Sequence, residues 1–172
     1  MTQLSHKHLI TLTLAVDFAG MMVIGNTPAG LRRIAPVSGG IFAGERLNGT
    51  VLPGADWVIN RPDGVMVIDV RLPLRTNDGA TIYLTYQGRF LAAPEVMARF
   101  SKGALLESHE YSLAITAKLE CGDERYAWLN NVIAVGTGEQ TASGPVYSIF
   151  EIGSETARRA NPAQIDPSAS NA

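Results

Sequence analysis

Residues 65–90 read VMVIDVRLPLRTNDGATIYLTYQGRF, and this stretch decides the fold. Apolar and polar residues alternate through 65–73 and again through 80–90, the period-two signature of a strand with two different faces. Between them Asn77-Asp78-Gly79 supplies the chemistry of a tight turn. Two long alternating runs joined by such a turn predict an antiparallel hairpin.

The same reading extends outward. Upstream, Pro62-Asp63-Gly64 marks a turn after a strand over 56–61, with further strands over 31–37 and 40–50. Gly40, Gly44 and Gly49 predict bends inside a curved sheet. The run from Leu9 to Gly25 is apolar enough to suggest a targeting segment. Residues 8–17, however, alternate, and Asp17 interrupts the run, so a strand is the better reading. Downstream, 94–101 predicts a short helix, with Pro94 suited to its first position and Gly103 to its stop. Strands are expected again over 110–121, 126–136 and 145–152. From Ser154 on, apolar periodicity is lost. Residues 8–152 are therefore read as one β-domain and 153–172 as a flexible tail. About eight to ten strands with one short helix predict an all-β sandwich or barrel, and closure into a barrel would remove exposed edges.

Composition narrows the function. The 172 residues suit one domain, with charged residues at 17%, well below the ordinary soluble share. A net charge of -2 leaves no basic face for nucleic acid. The pairs Arg32-Arg33 and Arg158-Arg159 read as solvated. No run is long and apolar enough to span a membrane, and the cytoplasm is the expected location. The single cysteine, Cys121, excludes an internal disulfide and a cysteine-rich zinc site, and reads as a buried thiol. His6 and His8 share a strand face but are read as a solvated pair, so no metal is expected. No nucleophile elbow, Walker loop or dinucleotide fingerprint is present, and no cofactor is expected.

Splitting the strands leaves a question open. Met66, Ile68, Val70 and Leu72 form one face of the first hairpin strand, against Asp69 and Arg71 on the other. Ile82, Leu84 and Tyr86 oppose Tyr83, Thr85 and Gln87 in the second. Over 111–121, Leu113, Ile115, Ala117 and Leu119 oppose Thr116, Lys118 and Glu120. Either the apolar face is the core and the polar face meets water, or the polar face lines a cavity. Acid–base chemistry would fall to Asp56, Asp69, Glu120 or Tyr83.

Three blocks carry a resemblance: GLRRIAPVSGGIFAGERLNGTVLPGADWVINRPDG at 30–64, DVRLPLRTNDGATIYLTYQG at 69–88 and ECGDERYAWLNNVIAVGTG at 120–138. Together they resemble the domain-of-unknown-function 3237 family. The resemblance implies a single-domain, calycin-like antiparallel β-barrel and a homo-oligomer, but no settled reaction. Relatives carry an arginine ahead of the Glu-Thr-Gly segment. Here Ala114, Ala117 and Leu119 lead into Glu120-Cys121-Gly122; if that arginine binds an anionic ligand in the relatives, the departure implies a ligand here that is less acidic or simply different. Asp56, Asp69, Arg71 and Tyr83 are the candidate catalytic residues. Arg33, Trp57, Glu120, Trp128 and Asn130 are the candidate substrate-binding residues. The expected function is binding of a small, partly apolar organic molecule, with cofactor-independent lyase or isomerase chemistry at a carboxylate. A lipocalin-like binding protein and a filled structural barrel are the alternatives.

Overall fold

A computed structural model describes residues 3–154. The tail expected beyond these, with Arg158-Arg159, lies outside the described residues. The first hairpin is as the sequence predicts. β6 (Met66–Thr76) pairs antiparallel with β7 (Thr81–Ala92), Val70 opposite Tyr86 and Asp69 opposite Gln87. β7 continues into β8 (Tyr111–Cys121), β8 into β9 (Ala134–Gln140), and β9 into β10 (Pro145–Ser154). β1 (Leu4–Val16) pairs with β10 on one side and with β3 (Gly30–Ala43) on the other. β3 returns to β6 through β4 (Asn48–Val51) and β5 (Gly54–Asn60), which closes the sheet into an antiparallel barrel. β2 (Met22–Thr27) lies outside the ring, paired to the first half of β3. It was read as part of one apolar run; the turn at 17–21 divides that run, with Asp17 accepting from the Gly20 N–H at 2.9 Å.

The apolar faces turn inward. Ile68, Val70, Leu72 and Leu74 of β6 meet Ile82, Leu84 and Phe90 of β7, all at most 3% exposed. Leu119 and Ile115 of β8, Ile149 of β10, Ile10, Leu12 and Leu14 of β1, and Phe42 of β3 complete the lining. Burial of this surface drives closure, because each strand of a barrel can offer one face to a common core. The reading in which the polar strand faces line the interior is therefore corrected. Asp69, Arg71, Tyr83 and Glu120 lie on the outside, because each neighbours in sequence a side chain that the core needs.

Two short elements plug the ends. α1 (Pro94–Ser101) buries Val96 and lays Phe100 on Phe90, ring centroids 4.9 Å apart, and Tyr111 stacks on Phe90 at the same distance. At the opposite end the chain forms a 3₁₀ helix over Glu124–Asn131, where a strand was expected from 126. The reason is local hydrogen bonding. Asp123 caps the Arg125 N–H at 3.0 Å, and Asn130 reaches back to bond both the N–H and the C=O of Cys121 at 2.9 Å. The helix seats Leu129, fully buried, and Trp128 against the core.

At that end Arg46 and Glu151 make an ion pair at 2.7 Å, their side chains 8% and 7% exposed, with the guanidinium 4.1 Å above the Trp128 ring. Removing one charge strands the other in the interior, which costs more than the pair contributes. Glu151→Gln is expected to lower unfolding stability by about 3 kcal/mol. The midpoint of urea unfolding checks this.

Candidate functional site

The interior carries a small polar group in the half of the barrel under α1. Asp56 on β5 stands opposite Ala35 of β3 and Val70 of β6, both buried, and residues directly opposite in an antiparallel pair share a face. Its carboxylate thus points inward. The β5–β6 ladder skips Trp57–Val58, and Asp56 Oδ1 takes the Asp69 N–H there at 3.0 Å. This bond fixes the carboxylate beside the strand. Oδ2 accepts no hydrogen bond from any described residue. Burial lifts the Asp56 pKa from 3.8 to about 7, against the lowering effect of the Asp69 N–H. The nearby Asp69 charge adds to the rise and Arg33 opposes it. A carboxyl poised near 7 holds and releases a proton at neutral pH, as general acid–base catalysis requires.

Arg33 lies two residues before Ala35 on β3, opposite buried Val58, and so shares the inward face with Asp56. Its Nη2 donates to Asn60 Oδ1, and its Nη1 sits 3.8 Å from the Met21 sulfur. Its Nε is buried without a partner, an arrangement that costs about 1–3 kcal/mol in a folded protein. Burial lowers its pKa and Asp56 raises it, and the guanidinium remains the cation of this group. The reading of Arg32-Arg33 as a solvated pair is corrected for Arg33. Alternation sends Arg33 inward, while Arg32 donates to the Trp57 carbonyl at 3.0 Å.

Tyr86 and Tyr147 complete the group, each 2% exposed, with ring centroids 5.0 Å apart. Burial pushes Tyr86 well above its ordinary value, helped by Tyr147 and by Asp56. Burial and Asp56 push Tyr147 the same way. Both therefore keep their protons. Gly138 makes room for this pair: a Cβ there would stand 2.6 Å from the Tyr147 ring and 2.5 Å from Leu113. The sequence reading missed both tyrosines. Tyr86 was placed in an apolar row, and the available signal was that a hydroxyl in such a row needs a polar companion.

The other candidates fall elsewhere. Asp69 Oδ2 faces Arg71 Nη2 at 3.4 Å on the outer surface, and the Arg71 guanidinium lies 5.0 Å from the centre of the Trp57 ring. Tyr83 is 43% exposed and stands opposite Glu120, which pairs with Lys118 at 3.3 Å. Asp69 and Arg71 border a shallow outer groove of about 310 Å³ with Thr85, Gln87, Thr116 and Lys118. That groove is open to water, which screens its charges. Trp128 and Asn130 belong to the far end, where Asn130 only ties the 3₁₀ helix to β8. Of the nine candidates, the structure brings together two in the interior, Asp56 and Arg33. His6 and His8 both lie edge-on to Phe150, and among the described residues no three His, Cys, Asp or Glu side chains converge as metal ligands. Cys121 is buried, its Sγ 3.3 Å from the Thr81 carbonyl. Among the described residues no helix is long and apolar enough to cross a membrane.

Known proteins share this architecture. A protein called UPF0311 protein RPA1785, from Rhodopseudomonas palustris, is 27% identical over 150 residues, covering 87% of this chain and 97% of its own length. Its crystal structure superposes with a TM-score of 0.83 over 88% of this chain and 99% of that one. A crystal structure described as a beta-barrel like protein from Acinetobacter baumannii matches with a TM-score of 0.76 and 31% identity, over 88% and 97% of the two chains. A protein of Penicillium herquei named hydroalkoxylation enzyme phnH is 29% identical over 115 residues, 67% of this chain and 62% of that protein. The profile of the family described as protein of unknown function, DUF3237, matches residues 4–152, and the chain belongs to this family.

Proposed function

We propose that this protein binds a small, partly apolar organic molecule within the α1 half of the barrel. There it moves a proton on that molecule at Asp56, in a cofactor-independent reaction of the lyase or isomerase class. The observation that carries this reading is a carboxyl group held near 7 on an apolar interior face, with one oxygen committed to the backbone and the other uncommitted. Arg33 offsets negative charge that develops on the substrate, and the Tyr86–Tyr147 pair offers neutral hydroxyl groups in place of further charges. This is a division of labour by environment: one group near neutrality for the proton, others locked in a single charge state. The Penicillium herquei relative supports the reaction class. Hydroalkoxylation adds O–H across a C=C bond, a change that needs proton movement and no net oxidation or reduction. The family resemblance supports a homo-oligomer, and the exposed Met22, Val23 and Ile24 of β2 give it an apolar edge.

A thermal-shift panel of small carbonyl, enol and phenol compounds tests the site. A ligand that binds only the folded state raises the melting temperature by mass action. Stabilising compounds are expected to lose their effect on Asp56→Asn and to keep it on Asp69→Asn. The reverse pattern would move the site to the outer groove and end this reading.

A further inference from the structure

The outer face of β7–β10 carries a groove of about 640 Å³, against about 310 Å³ for the one beside Asp69 and Arg71, and its surface is mainly apolar. The strand register builds it. In one row across the sheet Arg89 stands opposite Ala114, and Ala114 opposite Thr137. In the next row Thr116 stands opposite Val135, and Val135 opposite Phe150. From β7 to β10 the order is thus long, short, short, long. Arg89 stands on one wall and Phe150 on the other, with short side chains as the floor between them. Three strand spacings, about 14 Å, separate the two walls. The rings of His6 and His8 stand edge-on to Phe150, each at 5.6 Å, and back its wall.

Charge sets the class of occupant. Among the described residues that line the groove, Arg89 is the one charged group, and no carboxylate lines it. Arg89 Nη1 donates to the Gly88 carbonyl at 2.9 Å, and no acidic side chain among the described residues pairs with it. The neighbouring cations of this face differ: Arg71 faces Asp69 at 3.4 Å, and Lys118 faces Glu120 at 3.3 Å. A neutral apolar guest would cover Arg89 and leave its charge unmatched. A small inorganic anion would meet one cation screened by water. A second copy of the same face would bring another Arg89 and no carboxylate. We propose that this groove binds an organic anion with an aromatic or extended apolar body. Its charged group sits on the Arg89 guanidinium, and its body lies over Ala114 and Val135 against the Phe150 ring. The body displaces water from the apolar floor, which strengthens the contact at Arg89. This site goes beyond the proton-transfer reading and does not depend on it. The sheet itself separates the groove from the inward face that carries Asp56.

The test is a fluorescence titration of the full chain with two probes, 8-anilinonaphthalene-1-sulfonate and N-phenyl-1-naphthylamine. They share their rings, only the first carries a sulfonate, and both brighten on leaving water. The sulfonate is expected to bind at a single site per chain, about tenfold more tightly than the neutral probe. Arg89→Gln is expected to lose about tenfold of the sulfonate affinity and none of the neutral probe's. Ala114→Phe fills the floor of the groove and is expected to weaken both probes about tenfold. Both substitutions fall on outward positions, and melting temperatures near that of the unaltered chain show each variant folded. Equal affinity for the two probes, no brightening with the sulfonate, or unchanged sulfonate affinity in either folded variant would each overturn the proposal.

Discussion

Asp56→Asn is expected to make the protein more stable at pH 8 and no more stable at pH 4. The folded-state pKa of about 7 lies above the ordinary 3.8, so the folded state holds this proton more tightly than the unfolded chain does. Below the unfolded value the carboxyl is neutral in both states and costs nothing. As the pH rises from about 4 to 7, the unfolded chain ionises while the folded state resists, and stability falls. Above 7 the full penalty is present. Three pH units correspond to about 4 kcal/mol, and the exposed part of Asp56 trims this to about 2–4 kcal/mol. Asparagine keeps the oxygen that accepts the Asp69 N–H and removes the charge. The gain at pH 8 is expected to appear as roughly 5–10 °C in melting temperature. The same substitution is expected to lower activity about 10²–10⁴-fold, the usual worth of a positioned acid or base. Melting curves at both pH values check the first part. The exposed carboxylates Asp63, Asp78, Glu110 and Asp123 do not confuse this window. Hydrogen bonds hold them below the ordinary range, from the Thr76 and Tyr126 hydroxyls at Asp78 and from arginine side chains and backbone N–H groups at the other three, so their stabilisation is lost in more acidic solution.

The second large effect is at the seam of the barrel. β3 passes across β1 at Gly39-Gly40, where Gly40 pairs with Leu14 and has φ 150°. A Cβ on Gly40 would stand 2.1 Å from the Thr13 carbonyl oxygen, a backbone atom that cannot swing aside. Gly40→Ala is expected to force β1 away from β3 at the contact that closes the ring. The cost combines backbone strain with loss of ladder hydrogen bonds, and about 3–5 kcal/mol is expected. Urea unfolding of the purified variant measures it. Gly122→Ala is the matched control, because a Cβ there meets nothing within 4 Å.

Much of the fold was legible because barrel strands announce themselves by alternation. The β6–β7 hairpin, α1 and the bending glycine at position 40 follow from residue order alone. The 3₁₀ helix over Glu124–Asn131 did not, because Tyr126, Trp128 and Val132 alternate like a strand. The deciding bonds run from Asn130 to Cys121, nine residues back. The site was half legible. Asp56 and Arg33 stood out as charges within β-rich sequence, but alternation gives two faces and not which of them is inside. Asp69 and Arg71, on one strand with the right chemistry, were therefore as attractive as Asp56. Only closure of the sheet assigns the apolar face inward, and with it Tyr86 and Tyr147. The low charge fraction fits this arrangement: strands that line a closed barrel give half their positions to its core.

The most direct test of the central claim is a carbon-13 carboxyl titration of Asp56 by NMR in the folded protein, assigned by comparison with Asp56→Asn. A midpoint near 7 is the predicted result. A midpoint near 4 would show an ordinary solvated carboxylate and contradict the assignment of Asp56 as the proton-transfer group.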